Sequence, residues 1–132
     1  MLMTSDVIAF ASTTDLVRAR SFYENALGLR LVVENEYACV FDCHGTMLRV
    51  TLVPEVAHPG YTVLGWRVNA IHEAVAELKS AGVVFARYDG MEQDADDVWT
   101  TPGGDHIAWF SDPDDNVLSL TQFQLQKVAS PA

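Results

Sequence analysis

Apolar and polar residues alternate at one spacing, switch to another, and then do so again in the same order. From Asp15 to Leu27, the residues Leu16, Ala19, Phe22, Tyr23, Ala26 and Leu27 recur at helical spacing behind Thr13, Thr14 and Asp15, which are suited to capping. Gly28 stops that helix. Short apolar runs surround it, Val7–Ser12 before and Leu29–Val33, Tyr37–Phe41 and Met47–Val53 after, and each has the length of a strand. The predicted order is β-α-β-β-β.

The second half repeats that order. Tyr61–Val68 predicts a strand, and Ile71–Ala81 a helix with Ile71, Ala74, Val75, Leu78 and Ala81 on one face and Gly82 as its stop. Val83–Arg87, Val98–Thr101 and a hairpin of His106–Ser111 with Val117–Phe123 follow as strands. The helix starts at 16 and 71 lie 55 residues apart, the stop glycines 28 and 82 lie 54 apart, and the aspartates entering the last hairpin turns, 42 and 112, lie 70 apart. These offsets indicate a duplication with an insertion in the second half, placed at the polar loop Asp89–Asp97. The organisation is one domain over 1–132, with a first module at about 6–53, a linker at 54–60 carrying Pro54 and Pro59, a second module at about 61–123 and a tail at 124–132. A single module leaves one sheet face bare, so two must pair, and the α+β expectation is a curved half-barrel whose concave face encloses a cavity.

Composition narrows the partners. The 132 residues are 49% hydrophobic and 20% charged, ample for a packed core. The formal net charge of −10 repels phosphate backbones and anionic lipid, so neither nucleic acid nor a membrane surface is an expected partner. No run approaches the ~20 apolar residues of a membrane span, and Met1–Ala11 lacks a basic flank with a long apolar block, so a cytoplasmic location is expected. Cys39 and Cys43 are too close within a strand and its turn for a stable disulfide, and no second ligand pair at zinc-site spacing accompanies Cys43 and His44.

Two segments carry a family likeness. The run Ile8-Ala-Phe-Ala-Ser-Thr-Thr-Asp15-Leu16 followed by Ala19-Arg-Ser-Phe22-Tyr23-Glu-Asn-Ala-Leu27-Gly28-Leu29, and the closing Trp109-Phe110-Ser-Asp112-Pro113-Asp114-Asp115-Asn116-Val117-Leu118-Ser119-Leu120, resemble the two signatures of the vicinal-oxygen-chelate superfamily. That superfamily includes glyoxalases, bleomycin-resistance proteins and extradiol dioxygenases. The resemblance covers nearly the whole chain and implies the paired-module fold, but not one activity. Asp115 stands where the family usually has Gly in a left-handed turn, a conformation that Asp tolerates.

The resemblance also implies where a metal would sit: a His on the first strand and a carboxylate on the last strand of each module. Here those positions hold Ile8 and Val63, and Arg49 and Ser119. Two aliphatic groups, a guanidinium and a hydroxyl are a poor ligand set for a divalent ion, so no metal and no other cofactor is expected there. Of the four histidines, His44, His58 and His72 fall in a turn, the linker and a helix, and His106 at a strand start is expected at the cleft rim.

Strand alternation then gives an inward set. Phe10 and Ser12 come from the first strand, Arg49 and Thr51 from the fourth, Arg67 from the fifth, and Ser119 and Thr121 from the last. The resemblance places Trp109 inward, and subtracting 70 makes Cys39 its counterpart and adds Tyr37. Trp99, beside the acidic loop, either closes the mouth or anchors the loop. Flat apolar walls, two fixed cations and several hydroxyls suit a small aromatic or conjugated molecule with an acidic or carbonyl group. The opposing expectation is that Asp42 or Asp105 neutralises the arginines and the aromatics only fill space. Catalysis has slender support, since Cys39 is the sole nucleophile candidate and Tyr37 the sole acid. The readings are therefore a metal-free small-molecule-binding protein, a metal-dependent lyase, isomerase or dioxygenase of the same superfamily, and a protein with a collapsed cavity. The resemblance further implies a homodimer.

Overall fold

The computed structural model describes residues 1–124; the expected tail beyond residue 124 lies outside the described residues. After a short helical turn at Leu2–Thr4, the elements run β1 (Ile8–Thr13), α1 (Leu16–Ser21), β2 (Arg30–Glu34), β3 (Ala38–Cys43), β4 (Thr46–Leu52), β5 (Leu64–Arg67), α2 (Ile71–Ser80), β6 (Trp99–Thr100), β7 (His106–Ser111) and β8 (Val117–Gln122). They build two four-stranded sheets with matching orders, β1-β4-β3-β2 and β5-β8-β7-β6. Each pairs its first and last strands in parallel and the others antiparallel. The duplication read from punctuation is thus a duplication of topology, and β1 lies beside β5 where the modules meet.

Local chemistry sets the boundaries. Asp15 caps α1 by accepting the N–H of Arg18 at 3.1 Å. The predicted helix Asp15–Leu27 is α-helical only to Ser21; Phe22–Ala26 continue with a wider turn in which Leu27 N donates to Phe22 O at 3.0 Å. Gly28 ends it with φ +72°. Val83–Arg87 forms no regular strand: Phe85 alone bridges to Phe110, and the second sheet's edge is completed only after the loop, at Trp99–Thr100.

α1 packs on the first sheet and α2 on the second. Ala9, Ala11, Cys39, Phe41, Leu48 and Val50 fill the first interface, and Leu64, Trp66, Ala108, Phe110, Leu118 and Leu120 the second. Phe41 and Phe110 occupy equivalent places and are fully buried, each worth roughly 1.5–3 kcal/mol of apolar burial.

The turn Asp112–Asn116 joins the halves. Asp112 Oδ1 accepts the N–H groups of Asp114 and Asn116, and its Oδ2 accepts the Tyr23 hydroxyl at 2.6 Å. Asn116 Nδ2 donates to Ser12 O at 2.8 Å. Asp114 accepts the hydroxyl of Thr13 at 2.6 Å and the guanidinium of Arg18 at 2.6 Å. Asp115 holds the left-handed conformation expected of it, with φ +61°. The closing signature is thereby a joint between modules.

Candidate functional site

The helix-free faces of the two sheets carry the chemistry. On the first, cross-strand neighbours form rows: Ile8, Met47 and Asp42; Phe10, Arg49 and Val40; Ser12, Thr51 and Ala38. On the second, Gly65, Ser119 and Trp109 form one row, and Arg67, Thr121, Ile107 and Trp99 another. Gly65 is needed in its row, because a Cβ there would stand 2.7 Å from Ser119 Oγ. Its missing side chain lets Ser119 occupy that face.

Phe10, Ser12, Arg49, Thr51, Arg67, Ser119 and Thr121 lie on this face, as alternation predicts, and so do Trp109, which the family resemblance places there, and Trp99. Cys39 and Tyr37 do not. The first hairpin runs nine residues from Val40 to its partner Arg49, whereas the second runs ten from Trp109 to Ser119. The offset therefore drops from 70 to 69 across the turn, and a one-residue shift moves every side chain to the opposite face. Val40 is the counterpart of Trp109 and Ala38 that of Ile107. Cys39 points into the core beneath α1, fully buried, with Sγ 3.7 Å from Leu16 O. Burial pushes its thiol pKa up, the reverse of nucleophile activation. Tyr37 precedes β3 on the Cys39 parity and is exposed.

The arginines are not neutralised by the expected acids. Asp42 faces Arg30 at 3.5 Å, and Asp105 accepts the N–H of Gln124 at 2.9 Å. Among the described residues neither Arg49 nor Arg67 forms an ion pair. Arg49 is half-buried between Phe10 and Val40, while Arg67 lies over the Phe123 ring at 5.6 Å.

Trp109 is the centre of an aromatic group. Its ring meets Trp99 at 6.1 Å and Tyr88 edge-on at 5.7 Å, and its Nε1 donates to Thr62 Oγ1 at 3.2 Å. Trp99 is therefore fixed against the sheet as part of β6. Tyr88 lies outside the predicted strands, and Thr62 falls in the predicted strand Tyr61–Val68 on the opposite parity to Arg67, whereas the strand begins only at Leu64. Two hollows open on the first sheet's side, one of about 390 Å³ lined by Ile8, Arg30, Val40 and Met47 among others, and one of about 220 Å³ among Phe10, Ser12 and Val63. Arg67 borders a separate hollow with Phe123. His106 is not at this rim: its position shares the core side with Ala108 and Phe110.

The positions at which the family likeness implies a metal do not fit one. Ile8 and Val63 have no donor atom, Arg49 is cationic, and Ser119 offers only a hydroxyl. No helix among the described residues is long and apolar enough to cross a membrane.

No curated protein sequence matches the chain. Solved structures do. A member of the glyoxalase/bleomycin resistance protein/dioxygenase superfamily from Sphaerobacter thermophilus shares 24% identity at a TM-score of 0.72, covering 93% of this chain and 100% of that one. A lactoylglutathione lyase from Agrobacterium tumefaciens shares 14% identity at a TM-score of 0.71, covering 95% and 98%. The fosfomycin resistance protein FosX from Listeria monocytogenes shares 13% identity at 0.72, also covering 95% and 98%. At these identities the likeness establishes the fold. The family model for the Glyoxalase/Bleomycin resistance protein/Dioxygenase superfamily matches residues 6–120, the span of both modules, and the chain belongs to that superfamily.

Proposed function

We propose that the helix-free face binds a small aromatic or conjugated molecule bearing an acidic or carbonyl group, with no metal ion at the family's ligand positions. The observation that carries this reading is Arg49, half-buried on that face between Phe10 and Val40 without a carboxylate partner among the described residues. A guanidinium so placed offers a planar fork to a carboxylate or carbonyl, and Phe10 supplies a flat wall beside it. The Trp109, Trp99 and Tyr88 rings provide further stacking surface. We further propose a homodimer, because Ile8, Phe10, Val32, Val33 and Met47 leave an apolar face exposed, Phe10 at 59%.

Tryptophan-fluorescence titration of tag-free, chelator-treated protein with aromatic carboxylates and their uncharged amides tests the binding. Saturable binding of an acid, at least tenfold tighter than its amide and weakened at least tenfold by Arg49→Ala, is expected. Equal affinity in Arg49→Ala, or binding that requires added metal, overturns the reading. Light scattering after size exclusion tests the dimer.

A further inference from the structure

On the other side of the second sheet, three metal-binding side chains from two segments, α2 and the loop that follows it, converge beside the start of α2. His72 is the second residue of α2, and its Nε2 lies 2.8 Å from Asp94 Oδ2. One ligand atom from each of His72, Asp94 and Asp96 fits within 4.8 Å of the others. His106, which opens β7, lies beside this group, its ring centroid 6.2 Å from that of His72. Its Nδ1 is engaged with Thr100 Oγ1 at 2.9 Å, leaving Nε2 outside that bond.

The loop between residues 88 and 98 is built to present this group. Gln93 fastens it, donating from Nε2 to the carbonyls of Ala86 and Asp97 at 2.9 Å and accepting the Tyr88 N–H at 2.8 Å. Asp94 divides its two oxygens between tasks. Oδ1 accepts the N–H groups of Asp96 and Val98 and so shapes the loop, whereas Oδ2 is directed at His72. An exposed His–Asp pair alone contributes little and needs no further partner. Here a second carboxylate, Asp96, stands within reach of the same point, so one cation can take a ligand atom from each of His72, Asp94 and Asp96.

We propose that His72, Asp94 and Asp96 form a site for zinc or another late first-row divalent ion, which fastens the loop of residues 88–98 to α2. Mixed imidazole and carboxylate donors suit such ions better than calcium or magnesium, which take oxygen ligands. The ion replaces the proton held between His72 and Asp94. This site is separate from the helix-free face and does not depend on the ligand proposed there. The loop also carries Tyr88 and leads into Trp99, both against Trp109, so occupancy should register in tryptophan emission.

Equilibrium dialysis of chelator-stripped, tag-free protein against Zn²⁺ and Co²⁺ tests the site. One ion per chain is expected, with affinity reduced at least tenfold in His72→Ala and in Asp96→Ala. Zn²⁺ should raise the melting temperature of the parent protein and leave that of His72→Ala unmoved, and bound Co²⁺ should show visible absorption that His72→Ala abolishes. His72 and Asp96 are exposed, so these variants retain the fold. Absence of binding, affinity unchanged by His72→Ala and Asp96→Ala, or binding that Cys43→Ser abolishes instead would overturn the proposal.

Discussion

The hydroxyl of Tyr23 donates a 2.6 Å hydrogen bond to Asp112 Oδ2, across 89 residues of sequence and between the two modules. Tyr23 is fully buried, and Asp112 is buried as well. Burial and the neighbouring Asp112 carboxylate push the phenol pKa far up, so Tyr23 is a permanent donor and no acid catalyst. The first module's helix and the second module's closing turn are thereby fastened at one point.

Removing that hydroxyl should loosen the joint without emptying the core. Tyr23→Phe keeps the ring that meets Phe41 at 5.8 Å and Phe22 edge-on at 5.3 Å. Asp112 keeps its bonds from Asn116 and Asp114. The expected loss is about 1.5–3 kcal/mol, the range for a hydrogen bond to a charged group. Urea unfolding followed by circular dichroism measures it, and a double-mutant cycle with Asp112→Asn should return a coupling of similar size. Additive losses would mean that the two side chains do not act together.

Acid should act on the same joint through Asp114. Partial desolvation raises its pKa, but bonds from Thr13, Thr14 and the Arg18 guanidinium outweigh that cost and hold it below the ordinary 3.8. Asp97 is likewise lowered by Lys79 and Arg87. A carboxylate whose folded pKa is depressed contributes its full stabilisation above the unfolded value and loses it as pH falls through the folded one. Stability should therefore be level from pH 7 to about pH 5 and decline below about pH 4. Asp114→Asn should cost about 1.5–3 kcal/mol at pH 7 and flatten the acid limb. Urea midpoints between pH 3 and pH 7 decide this, and an acid limb as steep as the parent's would exclude Asp114 as its source.

Most of the architecture was legible because burial imposes its period on the chain. Ala9, Ala11, Leu48 and Val50 had to be apolar to meet α1, and the positions between them fell on the other face by alternation. Gly28 and Gly82 marked both helix ends because each takes a positive φ, +72° and +93°. What alternation does not encode is turn length. One extra residue in the second hairpin put Cys39 on the wrong face, although β3 and β4 were located to within two residues. Tyr88, Thr62 and the His72–Asp94 pair were hidden for a related reason. Tyr88 and Asp94 sit on a loop whose path follows from the hydrogen bonds of Gln93 and Asp94, and Thr62 lies ahead of the point where β5 begins, so no periodic signal announces them. The second β-edge was found at Val98–Thr101, but the strand predicted over Val83–Arg87 did not form, because before the insertion only Phe85 bridges to the sheet.

The reassignment of Cys39 has its own measurable consequence. Its Sγ sits under α1 with no solvent exposure, and burial pushes its pKa up, with Glu34 adding to that effect. The half-buried Cys43 is raised too, by burial and by Asp42. Only thiolate reacts with a disulfide reagent, so at pH 7.5 native protein should label slowly at Cys43 and not at Cys39. In concentrated guanidinium both should label at once. Cys39→Ser should destabilise the fold by about 1–3 kcal/mol, because a hydroxyl replaces a thiol in an apolar site, yet leave aromatic-acid affinity unchanged. Peptide mapping of the labelled protein separates the two thiols. Rapid native labelling of Cys39, or its protection by a bound aromatic acid, would return that side chain to the ligand face and reverse the register assigned to the first hairpin.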